Sequence, residues 1–179
     1  MPISPFRRLF RSRRSDSAAI APLYAAVVDR ARAPHWYQAG NVPDTVDGRF
    51  DMVAAVLSAV LLRLEDEEKA RAPSTHLAEA FVDDMDGQLR QLGIGDVVVG
   101  KHVGRMMSAL GGRLSAYRGE LGHTREDGTL EPALLRNIYR GTHPGRAALS
   151  HVADRLRDFR DKLAASATDE ILAGKLPGA

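Results

Sequence analysis

The sequence predicts an all-α protein, a single-domain bundle of about six helices joined by short corners bent by glycine and proline. Apolar residues recur three and four positions apart in several segments of helix length, which is the spacing of one helical face. No segment alternates apolar and polar residues between turn signals, as a half-buried strand would. At 179 residues, the chain is long enough to bury a single core.

The first half of the chain contains two predicted helices. The first covers about residues 20–33 and is followed by three aromatic rings at 35–37, which we expect to pack into the core rather than form an exposed patch. The second covers residues 48–66, and Asp47 is expected to cap its N-terminus. Residues 65–74 are predicted to be a charged link between helices.

A glycine corner divides the next two predicted helices. The third helix is expected to start at a cap formed by Ser74 or Thr75 and to end near Gly93, because glycine readily adopts the left-handed conformation at a helix C-terminus. The fourth covers residues 98–120. The corner therefore fixes how two apolar faces meet.

Two further helices are predicted near the C-terminus. One covers about residues 131–140 and the last covers about 145–166, with apolar residues alternating three and four apart as in helix-on-helix packing. The opposite face of the last helix is expected to be solvated, and it carries Arg155, Arg157, Asp158, Arg160 and Asp161.

Composition limits the available chemistry. The chain has no cysteine, so it can form neither disulfides nor thiolate metal sites. No apolar run approaches the roughly 18–20 residues that cross a bilayer. The net charge is +2, but residues 1–14 hold five arginines and no acid. The rest of the chain therefore contains 20 of the 25 basic residues and all 23 acidic residues. The basic character is concentrated at the N-terminus.

Residues 1–18 are predicted to be a basic, flexible tail ahead of a helical domain at 19–179. The tail lacks the apolar core and cleavage site of a secretory signal. Arginines attract anionic lipid headgroups while Phe6, Leu9 and Phe10 could enter the interface, or the arginines could contact ribosomal RNA phosphates. A solvated start without a specific role is the third alternative. The candidate contact residues are Arg7, Arg8, Arg11, Arg13 and Arg14.

No catalytic or cofactor motif is complete in this sequence. The six histidines are scattered, and neither an HExxH nor a GxSxG motif occurs, so neither a metal nor a cofactor is expected. Gly95, Gly100 and Lys101 fit GxxxxGK, but His102 stands where a phosphate-binding loop needs Ser or Thr. An enzyme acting through closely spaced aspartates at 44–51 stays a less favoured alternative.

Two polar segments, 43–51 and 83–105, combine acids with bases next to helix starts. One interpretation is an ion network that links two corners of the bundle, because buried charges persist only when they are paired. The other is a recognition surface for another molecule. The candidate residues are Asp44, Asp47, Arg49, Asp51, Asp84, Asp86, Arg90, Asp96 and Lys101.

Two long motifs in this order resemble the ubiquinol–cytochrome c chaperone family: VPDTVDGRFDM at 42–52 and DMDGQLRQLGIGDVVVGKHVGRM at 84–106. The likeness extends over about residues 23–121 and includes RAPHWY before the first motif and GRLSAY after the second. One departure is the pair Leu110 and Gly111, where family members often carry Phe and Tyr. The chain looks like a bacterial member of the family.

The resemblance implies a non-catalytic helical assembly factor without a cofactor. It would bind newly made cytochrome b, or an assembly intermediate, and support its insertion into ubiquinol–cytochrome c reductase. Mitochondrial members work with a small partner subunit and at the ribosomal exit. The implied location is the cytoplasm or the surface of the inner membrane, which is the matrix side in a eukaryote.

Overall fold

The protein is described from a computed structural model, which covers residues 5–91, 99–123 and 126–178, with side chains for 18–87, 104, 106–123 and 126–178. The residues in these ranges form α-helices and one 3₁₀ turn and contain no strand, which confirms the all-α prediction. The helices are α1 (Pro5–Ala31), α2 (Pro34–Gln38), α3 (Val46–Leu64), α4 (Arg71–Gln91), α5 (Val99–Leu121), α6 (Leu130–Asn137), α7 (Arg146–Ala165) and α8 (Thr168–Leu172).

Helix α3 lies at the centre of the bundle. Its residues 51–62 are all buried, and it packs against α1, α4, α5 and α7. A helix that is apolar on nearly all sides is stable only when other helices surround it. Because α3 begins at Val46, inside the polar segment 43–51, the second half of that segment forms the first turns of this central helix.

The aromatic cluster lies against the core, as expected for Trp36. The Trp36 side chain is fully buried and its Nε1 donates a hydrogen bond to the Arg30 carbonyl at 2.7 Å. The neighbouring rings of His35 and Tyr37 are half-buried. All three residues belong to α2 rather than to a loop.

Several helix boundaries differ from the sequence prediction. Helix α1 begins at Pro5 rather than near residue 20, so it crosses the boundary between the expected tail and the domain. That division into tail and domain, and the flexibility of the tail, stay predictions. Helix α4 begins at Arg71, and Thr75, which was expected to cap it, lies inside it and donates to the Arg71 carbonyl. The corner expected at Gly93 lies outside the described residues.

The cap of α3 is Thr45 and not Asp47, so that prediction was wrong. Thr45 has an extended backbone, and its hydroxyl accepts a hydrogen bond from the Gly48 N–H at 3.1 Å. Asp47 is already the second helical residue, where its backbone can no longer take the cap conformation. Its carboxylate still lies in the first turn, where the helix dipole favours negative charge.

The α3 helix is also tied to the end of α7. Arg63 Nε donates to the Leu163 carbonyl at 3.1 Å, and Arg63 Nη2 donates to the Ser166 carbonyl at 3.2 Å. These acceptors lie where helix carbonyls lose their intrahelical partners. No helix in the described part of the chain is long and apolar enough to cross a membrane.

Candidate functional site

Four charged side chains from three parts of the fold meet at the start of α3. Asp47 and Asp51 are one turn apart on α3, Arg113 comes from α5, and Arg140 lies in the connection between α6 and α7. We call these four residues the Asp51 cluster. Two carboxylates and two guanidinium groups balance the charge within it.

Asp51 is the centre of the cluster. Its side chain is 0% exposed, and its two carboxylate oxygens accept from different arginines. Arg113 Nη2 donates to Oδ1, and Arg140 Nη2 lies 3.4 Å from Oδ2. Burial raises the pKa of Asp51, and the two guanidinium groups oppose the increase. A buried carboxylate is tolerated here because two cations compensate for its lost hydration.

Arg113 is held in place by three different groups. Its side chain is only 14% exposed, and besides Asp51 its Nη1 donates to the Ala109 carbonyl at 3.2 Å. The guanidinium carbon lies 5.2 Å from the centre of the Phe50 ring, within the range of a cation–π contact. Arg113 is therefore the mostly buried cation that pairs with Asp51 inside the cluster.

Arg140 connects the buried part of the cluster to solvent. Its side chain is 58% exposed, and Nη1 forms a 2.8 Å ion pair with Asp47, whose side chain is 68% exposed. Its backbone has φ 52°, a left-handed conformation that is uncommon for residues other than glycine. The neighbouring Tyr139 hydroxyl donates to the Gly40 carbonyl at 2.5 Å, which fixes this connection against the loop before α3.

The remaining candidates of the first polar segment form a separate surface pair. Arg49 Nε donates to Asp44 Oδ1 at 2.7 Å, and both side chains are mostly exposed. The Arg49 hydrogen bond lowers the pKa of Asp44. Val46, which lies between Asp44 and Asp47 in the sequence, is one of the few large apolar side chains that the described structure leaves exposed. Asp44, Arg49 and Val46 are therefore accessible to solvent at the start of α3.

Among the described residues, the two candidate acids of the second polar segment lie on α4. Asp84 accepts a 2.7 Å hydrogen bond from the Tyr24 hydroxyl, which ties α4 to α1. Asp86 is half-buried on α4. The side chains of Arg90 and Lys101 lie outside the described residues, and so does Asp96 altogether. The described partners of Asp51 are instead Arg113 and Arg140, neither of which the sequence analysis selected.

The basic N-terminal candidates share one element. The backbone of residues 5–17 belongs to α1, but the side chains there lie outside the described set. The basic N-terminal candidates are Arg7, Arg8, Arg11, Arg13 and Arg14.

A second charge cluster lies between α5, α6 and α7. Arg157 Nε donates to Glu120 Oε2 at 2.7 Å, and its Nη2 contacts both oxygens of Glu131 at 2.8 Å. Glu120 also accepts from the Leu130 N–H at 2.8 Å, so it caps the start of α6. Burial alone would raise the pKa of Glu120, but hydrogen bonds from Arg157 and Leu130 outweigh it, and the pKa is lowered.

This second cluster corrects the expectation of a fully solvated face on α7. Arg157 is half-buried among carboxylates, and Arg160 is buried. The face packs because α5 and α6 both lie against α7, a tertiary arrangement that periodicity within α7 cannot reveal. We assign the second cluster to the stability of the fold, since its acid caps a helix.

Among the described side chains, no three or more His, Cys, Asp or Glu residues come close enough together to hold a metal ion. Within the Asp51 cluster, the buried carboxylate is already engaged by two guanidinium groups. The arrangement can therefore recognise charged or hydrogen-bonding groups of a partner at its exposed edge, through Arg140 and Asp47.

Comparisons with known proteins agree on one family. Residues 38–177 match the sequence model described as Ubiquinol-cytochrome C chaperone, a range that contains the whole Asp51 cluster. The crystal structure of the Cbp3 homolog from Brucella abortus is similar, with a TM-score of 0.80 and 29% sequence identity over 97% of this chain and 96% of that one. No curated protein matches the chain in a sequence search.

Proposed function

The chain belongs to the ubiquinol–cytochrome c chaperone family, and from this premise we propose that it binds newly made cytochrome b and assists the assembly of ubiquinol–cytochrome c reductase. The similarity to the Brucella Cbp3 homolog over nearly the full length of both chains is the observation that carries the proposal. The protein would act by binding and not by catalysis, alone or with a small partner subunit.

The exposed edge of the Asp51 cluster is the proposed contact region. Arg140 and Asp47 are accessible and pair with each other, while the buried Asp51, which Arg113 also contacts, holds Arg140 from inside. Exposed Val46 adds an apolar contact beside them. Protein interfaces commonly combine apolar contacts with charged and hydrogen-bonding groups. Asp84, Asp86, Arg90, Asp96 and Lys101 stay additional candidates on the second motif.

The assembly role predicts a selective loss of haem proteins. Membranes from a strain that lacks this protein should lose the b- and c-type signals of ubiquinol–cytochrome c reductase in a reduced-minus-oxidised spectrum. Terminal oxidase haem should be retained, which controls for a general defect in haem supply. A complete set of reductase signals in the deletion strain would refute the proposed function.

We further propose that the first half of α1 lies on an anionic membrane surface, where a membrane client is assembled. The helix starts at Pro5, and residues 9 and 10 share a helical face with residue 6 because they follow it by three and four positions. Phe, Leu and Phe occupy these positions, and the five arginines supply positive charge. This composition is typical of helices that lie in the membrane interface.

Vesicle binding tests this second proposal. The full chain should sediment with vesicles of phosphatidylglycerol and phosphatidylcholine but not with phosphatidylcholine alone, and added salt should weaken the association. Removing residues 2–14 should abolish it. If the deletion instead abolishes sedimentation with ribosomes and leaves vesicle binding unchanged, the arginines serve RNA and the membrane proposal is wrong.

A further inference from the structure

A pair of histidines joins α2 to α7. His35 Nδ1 lies 3.1 Å from His151 Nε2, although 116 positions separate the two residues in the sequence. The rings meet edge to face, with centroids 5.3 Å apart. At this distance, one nitrogen donates a proton and the other accepts it with a lone pair. The contact is therefore a single N–H···N hydrogen bond that exists only if at least one of the two facing nitrogens is deprotonated.

The segment that follows α2 lies beside this contact and is held by main-chain hydrogen bonds to α2. The N–H groups of Ala39 and Gly40 donate to the His35 carbonyl at 3.1 and 3.0 Å. Gly40 also lies tightly against α7, since a Cβ there would come within 2.5 Å of Val152 Cγ2. Residues 39–42 are thus held between the end of α2 and the side of α7, and the histidine pair connects these two elements.

The charged surroundings of the pair disfavour additional protons. Burial lowers the pKa of His35, and His151 and Arg155, both on α7, act in the same direction. No carboxylate among the described residues contributes to the shift. The preceding helix α1 offers main-chain carbonyls instead, which accept from Trp36 and Tyr37. A proton added to His35 therefore meets no compensating acid.

We propose that the His35–His151 pair is a pH-sensitive latch that holds residues 39–42 against α7 and opens when both rings are protonated. In that state every ring nitrogen carries a hydrogen, so neither ring can accept, and two positive charges face each other. The released segment leads directly into Asp44 and the exposed edge of the Asp51 cluster. The latch rests on this geometry and not on the identity of the client.

Stability should depend on pH in the corresponding direction. The pKa of His35 is lower in the folded protein than in the unfolded chain, whose histidines titrate near about 6.5. Below that pH the unfolded chain binds more protons than the folded protein, so acidification favours unfolding. The His35 contribution is therefore complete above that pH and is lost as the pH falls.

Trp36 provides a direct reporter of the latch. It is the only tryptophan in the chain, and its ring centroid lies 4.2 Å from that of His35. A protonated imidazole quenches an adjacent indole, so fluorescence should decrease on acidification with a midpoint below about 6.5. The transition should disappear in His35→Gln. In His151→Ala its midpoint should move up toward the ordinary histidine value, because one cause of the shift is removed.

Hydrogen exchange then shows whether protonation opens the segment. Protection of the Ala39, Gly40 and Val42 amides should fall through the same pH range, while the Ser166 amide at the end of α7 stays protected as a control. A wild-type midpoint at or above the ordinary histidine value would overturn the proposal. So would amides that stay protected through the transition. If His35→Gln does not fold, the wild-type and His151→Ala titrations decide the matter.

Discussion

Replacing Asp51 by alanine is expected to lower the free energy of unfolding by about 3–5 kcal/mol. The substitution leaves Arg113, which is 14% exposed, without its carboxylate partner, and it deprives Arg140 of one of its two acids. Removing one member of a buried ion pair is costly because the other charge stays away from water. Chemical unfolding in urea, followed by circular dichroism, measures the change.

Asp44→Ala is the matched control for this prediction. It also removes an aspartate paired with an arginine at the start of α3, but the side chains of both Asp44 and Arg49 are mostly exposed. Exposed pairs contribute little, so its unfolding midpoint should stay close to that of the wild type. Replacing Asp51 and Arg113 together by leucine and methionine should recover much of the loss, since no unpaired charge remains at that contact. Equal effects of Asp51→Ala and Asp44→Ala would show that the buried pair does not support the fold.

Gly48→Ala is expected to destabilise the protein by about 2–3 kcal/mol. A Cβ on Gly48 would lie 2.0 Å from the Pro43 carbonyl oxygen, an atom of the main chain. The loop could yield only by moving the backbone that positions Thr45, whose hydroxyl caps the same helix through the Gly48 N–H. Thermal and urea unfolding of the variant measure the effect.

Gly111→Ala is the same substitution at another position, and we expect it to change the free energy of unfolding in the opposite direction. Gly111 lies inside α5, and a Cβ there meets no atom within 4 Å. Alanine should therefore stabilise the helix by about 0.5–1 kcal/mol, the usual difference between the two residues in a helix interior. If Gly48→Ala were as stable as Gly111→Ala, the close approach of Pro43 to α3 would be wrong.

The sequence was sufficient to predict the helical class because large apolar residues repeat at helical spacing in the segments that form α3, α5 and α7. It also selected both acids of the Asp51 cluster, Asp47 and Asp51, because three aspartates stand close together around one helix start. It did not identify Arg113, although that residue occupies the apolar face of α5 between Leu110 and Tyr117, and a charge at such a position indicates a buried partner. A charged residue on an otherwise apolar helix face is the feature of the sequence that identifies Arg113.

Other features depend on tertiary structure that local patterns do not contain. Arg140 follows a helix end and reaches Asp51 only because the α6–α7 connection packs against the loop before α3. Thr45 and Asp47 are both good capping residues, so composition alone could not decide between them. The early start of α1 was missed because the run of arginines at residues 7–14 was assigned to a flexible tail, although arginine is a good helix former.

The haem spectrum of a complemented deletion strain tests most directly the claim that this fold assists reductase assembly through the Asp51 cluster. Arg140→Gly removes the guanidinium group, while glycine relieves the left-handed backbone and so offsets part of the lost ion pairing. Arg146→Ala removes an exposed arginine nearby at the start of α7 and serves as the control. Both proteins should accumulate to wild-type levels. We predict that the wild type and Arg146→Ala restore the b- and c-type signals and that Arg140→Gly does not. Full restoration by Arg140→Gly would contradict the role of the cluster. Reductase signals that are already intact in the deletion strain would contradict the assembly function itself.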